Sequence, residues 1–181
     1  MAKAMPERGQ MGILNRSYYE NVISPKIYDI LGKEPLPDDL IGYDIWQERY
    51  GQINSFEKYL KDNSFPVIKF FFHMSKDKQK KRLLERLEDP KKNHEFSFSD
   101  LEDRKHWDDY QEVFEDMLNN TSTKENPWYI LPADNPWLAR LIASKALIKV
   151  MEEIDPKYPE FSDDEKEKVK EAIEKLKNDE I

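Results

Sequence analysis

The string Asn15-Arg16-Ser17-Tyr18-Tyr19-Glu20 gathers an amide, a guanidinium, a hydroxyl, two phenols and a carboxylate directly after the short apolar run 10–14. If that run is a buried strand, the string sits at its carboxyl end, where open α/β sheets bind ligands. Arg16 can fork onto phosphate oxygens there, and Glu20, one helical turn later, can polarise a nucleophile or contact a metal-bound water. The same string also reads as an ordinary strand-to-helix turn, with Asn15 or Ser17 as the cap and Arg16 paired to a surface carboxylate. A second feature is the basic run Lys76, Lys78, Lys80, Lys81, Arg82, Arg86, Lys91 and Lys92, in a chain whose formal charge is -8. Cations concentrated on one helix favour a phosphate-rich ligand. Asp77, Glu85, Glu88 and Asp89 lie among them, so a balanced, solvated face is the alternative. Arg82 and Arg86 are four apart and project from one side of a helix. The aromatics Trp107, Tyr110, Trp128, Tyr129 and Trp137 suit either a core or a stack against a nucleobase. His73, inside an apolar run, reads as a hydrogen-bonded core histidine.

Composition closes several classes of chemistry. The absence of cysteine excludes disulfides, thiolate nucleophiles and Cys-based metal sites. His94 and His106 join His73 in showing no paired metal-ligand spacing. With 37 acidic residues against 29 Lys and Arg, the surface as a whole is unsuited to nucleic acid, and none is expected as a partner. No apolar run approaches the roughly 18 residues that span a bilayer, and the first ten residues lack the apolar middle of a signal peptide. A cytoplasmic protein without membrane contact is expected.

The elements that must hold these residues alternate. Runs at 10–14, 66–74 and 127–132 are apolar on both faces, as strands of a covered parallel sheet are. Between them lie helical patterns over 40–60, 77–87 and a long helix opened by Ser99-x-x-Glu102 as a capping box, with Tyr110, Val113, Phe114, Met117 and Leu118 as its apolar stripe. A further apolar helix covers 135–151, and Ser162-x-x-Glu165 opens a charged tail helix. The spacing predicts an α/β fold with right-handed crossovers and three parallel strands whose carboxyl ends share one edge.

Taken together, the string from Gly12 through Glu20, Lys69-Phe70-Phe71-Phe72-His73-Met74-Ser75-Lys76, Gln79-Lys80-Lys81-Arg82-Leu83, Trp107-Asp108-Asp109-Tyr110, Thr121-Ser122-Thr123 and residues 127–134 (Pro-Trp-Tyr-Ile-Leu-Pro-Ala-Asp) resemble the family-2 polyphosphate kinases, in the family's order and over about 6–159. The resemblance implies a partial P-loop kinase-like parallel sheet flanked by helices, a domain over 1–159 with a helical lid at about 76–123, and a separate charged helix over 160–181. It implies transfer of phosphoryl groups between inorganic polyphosphate and a nucleoside mono- or diphosphate, with Mg2+. By resemblance Arg16 and Glu20 are catalytic, and Asn15, Tyr19, Lys81, Arg82 and Arg86 bind substrate.

The departures are equally specific. The family carries a glycine-rich phosphate loop of the form G-x-D-x-x-G-K upstream of the position of Gly12, and the five glycines here form no such loop. With it go the backbone cradle, the loop Lys and the principal metal-binding Asp, which supply most of the electrostatics of phosphoryl transfer. Glu95 and Asn135 stand where the family usually carries Lys. Two expectations result: a phosphotransferase that needs a complementing N-terminal segment, or a non-catalytic relative that binds polyphosphate or nucleotide as a scaffold. An exposed sheet edge would favour homo-oligomers or capture of that segment.

Overall fold

Hydrophobic period and turn chemistry place most of the elements. The computed structural model describes residues 5–33 and 44–179 of the 181-residue chain. A 3-10 helix, Tyr18–Val22, leads into the single turn α1, Ser24–Ile27. The helix α2, Ile45–Asp62, runs unbroken through Gly51; the residues 40–43 that open the expected helix lie outside the described ones. Then come β1, Lys69–His73, and α3, Lys76–Glu88, whose N-cap Ser75 accepts a hydrogen bond from the Lys78 amide. The expected long helix is two, α4, Ser99–Lys105, and α5, Trp107–Thr121, broken at His106. Ser99 is the first helical residue and not a cap; Ser97 and Asp100 exchange the capping contacts instead, the Ser97 amide donating to Asp100 Oδ2 (3.1 Å) and the Ser99 amide to Ser97 Oγ (3.3 Å). The strand β2, Trp128–Pro132, precedes α6, Pro136–Ile154, and α7, Asp163–Lys177, closes the order with the expected Ser162/Glu165 capping box.

The sheet consists of β1 and β2, parallel and in register from Lys69 opposite Trp128 to His73 opposite Pro132. The expected first strand is not formed. A strand exists only where a neighbour completes its ladder, and no described residue pairs with 11–14, which leaves Met11, Ile13 and Leu14 exposed. The fold class itself stands as expected: a parallel sheet flanked by helices.

The core lies on the face of β1 that carries Lys69 and Phe71. Tyr19, Val22, Tyr50, Ile53 and Met117 form its buried centre, with Phe71, Phe114 and Trp128 packed around it. Val22, Tyr50 and Met117 are at most 1% exposed, and each contributes about 1.5–3 kcal/mol by leaving water. Residues 1–147 form one compact unit and 148–181, including α7, a second. In the second, ion pairs such as Lys170–Glu167 (2.7 Å) lie along α7, while Ile173 and Leu176 are exposed.

Candidate functional site

At the carboxyl end of β1 the chain must turn into α3, and two contacts fix that turn. Asp134 Oδ1, just past β2, accepts a hydrogen bond from the Ser75 amide (2.9 Å), and His73 O accepts one from the Ala133 amide (2.8 Å). The Ser75 hydrogen bonds hold the Asp134 carboxyl below its ordinary range. The two strands therefore end together, and α3 starts from a fixed point.

Beside this edge opens a cavity of about 380 Å³. The end of β1 contributes Phe71 through Met74, α3 contributes Gln79, Arg82, Leu83 and Arg86, α4 contributes Asp100 and Asp103, and α5 contributes Trp107, Tyr110, Gln111 and Phe114. Arg16 enters from the remaining side. Three guanidiniums thus converge on one space, from two segments far apart in sequence. Arg16 and Arg82 have no hydrogen bond or ion pair with any described residue. Arg86 is partly neutralised, with its Nε 3.8 Å from Glu95 and its Nη1 3.8 Å from Asp100.

The acidic wall is itself held. Tyr28 donates to Asp103, and Arg104 Nη1 donates to Lys76 O (2.9 Å) and Gln79 Oε1 (2.6 Å), which ties α4 to the start of α3. Among the described residues no group of three or more His, Asp or Glu converges to hold a metal ion. What the arrangement can do is bind an extended or branched anion: guanidiniums a helical turn apart on α3 meet successive oxyanions, and Arg16 closes the far side.

The residues singled out from the sequence are placed differently. Arg16, Arg82 and Arg86 line the cavity together. Glu20, one turn beyond Arg16, accepts a hydrogen bond from Ser24 Oγ. Asn15 and Lys81 are exposed and lie outside the cavity lining, and Tyr19 is buried with its hydroxyl 2.6 Å from Glu57 Oε1. His73 departs from the core placement expected of it: as the last residue of β1 it is exposed and lines the cavity. Trp107 and Tyr110 line the same space and are half-buried, so they are not purely core residues.

Sequence reasoning missed a buried polar group behind Arg16. Glu57 is 0% and Lys69 4% exposed, and Lys69 Nζ donates to Glu57 Oε2 at 2.7 Å. The other carboxylate oxygen accepts from Tyr18 (2.7 Å) and Tyr19 (2.6 Å). Burial, then the Glu57 hydrogen bond, pushes both phenols well above their ordinary pKa, and burial pulls the Lys69 ammonium down. A lone Lys between Ile68 and Phe70 in an apolar run was the available signal, because a charge in a covered strand needs a partner.

The profile of the polyphosphate kinase 2 family matches residues 1–159. An ADP-polyphosphate phosphotransferase of Rhodopseudomonas palustris is 44% identical over 158 residues, 86% of this chain and 55% of that protein. An AMP/ADP-polyphosphate phosphotransferase of Meiothermus ruber is 38% identical over 86% of this chain and 55% of its own length. An uncharacterised protein of Leptolyngbya boryana is 46% identical over 136 residues, the whole of its length. The crystal structure of polyphosphate kinase 2 from Arthrobacter aurescens superposes with a TM-score of 0.75 at 30% identity, covering 93% of this chain and 57% of that one. The chain thus spans about half the length of the phosphotransferases it matches.

Proposed function

From the premise that this chain belongs to the polyphosphate kinase 2 family, we propose that it carries the polyphosphate-binding arginines of a phosphotransferase acting between inorganic polyphosphate and a nucleoside mono- or diphosphate. The observation that carries this reading is the convergence of Arg16, Arg82 and Arg86 on one cavity at the carboxyl end of the sheet. Phosphoryl transfer asks the protein chiefly for positioning and for positive charge around the moving group. Here Arg82 and Arg86 hold neighbouring phosphates of the chain, while Arg16 sits beside the group transferred to the nucleotide. Trp107 and Tyr110 offer an aromatic wall against the acceptor, and Glu20 orients its attacking oxygen.

The reaction also needs groups that these residues do not supply. No G-x-D-x-x-G-K loop occurs in the sequence, and the described carboxylates do not converge into a magnesium site. A phosphate-loop segment, covalently continuous or separate, completes the enzyme in this reading. A second reading, favoured by the partial neutralisation of Arg86 by Glu95 and Asp100 at the cavity, is a scaffold that binds polyphosphate or nucleotide without turning it over.

A coupled assay with polyphosphate, magnesium and ADP or AMP separates the two. The chain is run alone and with an added fragment comprising a strand and the G-x-D-x-x-G-K loop. Turnover that depends on the fragment and disappears with Arg16→Ala supports the phosphotransferase. Polyphosphate binding with no turnover in either arm supports the scaffold.

A further inference from the structure

Arg16 has φ +52°, in the left-handed region that a side chain other than glycine seldom occupies. The chain before it, 11–14, is exposed, and Arg16 has no polar partner of its own among the described residues. Its place in the cavity is set by the three residues on its carboxyl side. Ser17 is extended and caps the 3-10 helix, and Tyr18 and Tyr19 are anchored by their hydroxyls on a single oxygen of Glu57.

Glu57 is in turn clamped. Lys69 directs its three protons to Glu57 Oε2 (2.7 Å), Thr121 O (2.6 Å) and the Tyr19 hydroxyl (3.2 Å). Thr121 Oγ1 accepts from Trp128 Nε1 at 2.9 Å. The 3-10 helix, α2, β1, the end of α5 and the start of β2 thus meet in one saturated network. A buried ion pair of this kind adds little stability over apolar residues of the same volume. What it fixes is geometry: Lys69 shares a strand face with Phe71 and His73, both of which line the cavity.

We infer that Glu57 and Lys69 are positioning residues that hold Arg16 at the anion cavity through Tyr18 and Tyr19. The inference rests on the reading that Arg16 binds phosphate. It assigns to a buried pair outside the cavity lining control over one of the three arginines and not the other two.

The test is a double-mutant cycle read by calorimetric binding of inorganic polyphosphate to the full chain. Tyr19→Phe keeps the ring and removes the anchoring hydroxyl; Tyr18→Phe does the same at the half-buried neighbour and serves if the first variant does not unfold cooperatively. Arg16→Ala lowers affinity about tenfold in the parent and by about twofold or less in the Tyr→Phe background, whereas Arg86→Ala costs the same in both backgrounds. Equal losses from Arg16→Ala in the two backgrounds overturn the positioning role while leaving the binding reading intact. Absence of polyphosphate binding by the parent, or no effect of Arg16→Ala there, overturns both.

Discussion

At the scale of single residues, backbone and charge make separable demands on Arg16 and Arg86. Arg16 carries a left-handed φ at an exposed position, so its side chain is retained against a local conformational cost. Arg16→Gly removes that cost and changes stability by no more than about 1 kcal/mol. The same change lowers polyphosphate affinity about tenfold, because one guanidinium contact leaves the cavity. Thermal unfolding and calorimetry on a single preparation read both effects. Glu95 stands 3.8 Å from the Arg86 guanidinium and competes with any anion for it. Glu95→Gln therefore raises affinity about two- to threefold at low salt, since a half-exposed pair is worth less than about 1 kcal/mol. An unchanged affinity would show that Arg86 lies outside the binding surface.

At the scale of elements, the buried network contributes to the alkaline limit of the fold. The phenols of Tyr18 and Tyr19 are raised above their ordinary value of 10.0, first by burial and then by Glu57. Below that value both states keep the proton; above it the unfolded chain ionises first. Stability therefore holds to about pH 10 and falls beyond it. Tyr28, Tyr50 and Tyr110 are raised as well and add to the decline, while Lys69, lowered by burial, works in the opposite sense over a window that ends at its ordinary 10.5, one group against five phenols. Melting temperatures between about pH 8 and 12 check this, and Tyr18→Phe flattens the alkaline decline. Both strands and the helices α2, α3, α5, α6 and α7 were legible from the sequence, because 66–74 and 127–132 are continuous apolar runs and α2 and α5 carry apolar stripes; the second face of the sheet is open, with Phe72 and Ile130 exposed, and the short helices at 18–22 and 24–27 carry no stripe to read. The strand expected over 10–14 does not form, since a ladder depends on a neighbour that local pattern cannot reveal. The Ser97/Asp100 cap escaped because Ser99-x-x-Glu102 offers an equivalent pattern two residues further on, and the break at His106 interrupts a stretch whose residues are all compatible with a helix. Arg16, Arg82 and Arg86 could be picked out as cation positions, but their convergence depends on the crossover between β1 and β2.

At the scale of the whole molecule, a chain of net charge -8 concentrates three guanidiniums at one sheet edge. Binding of a linear polyanion by such a chain must come from that local cluster, and it weakens steeply with salt as bound counterions are released. The tail helix α7 carries Lys166, Lys168 and Lys170 among many carboxylates, a charge-balanced surface that serves as the internal control. The most direct measurement is a calorimetric titration of the chain with inorganic polyphosphate at low salt, repeated with Arg82→Ala/Arg86→Ala and with the three tail lysines replaced by Ala. Saturable binding that the double arginine variant loses almost completely and the tail variant keeps is the predicted result; no binding by the parent, or an equal loss in the two variants, would contradict it.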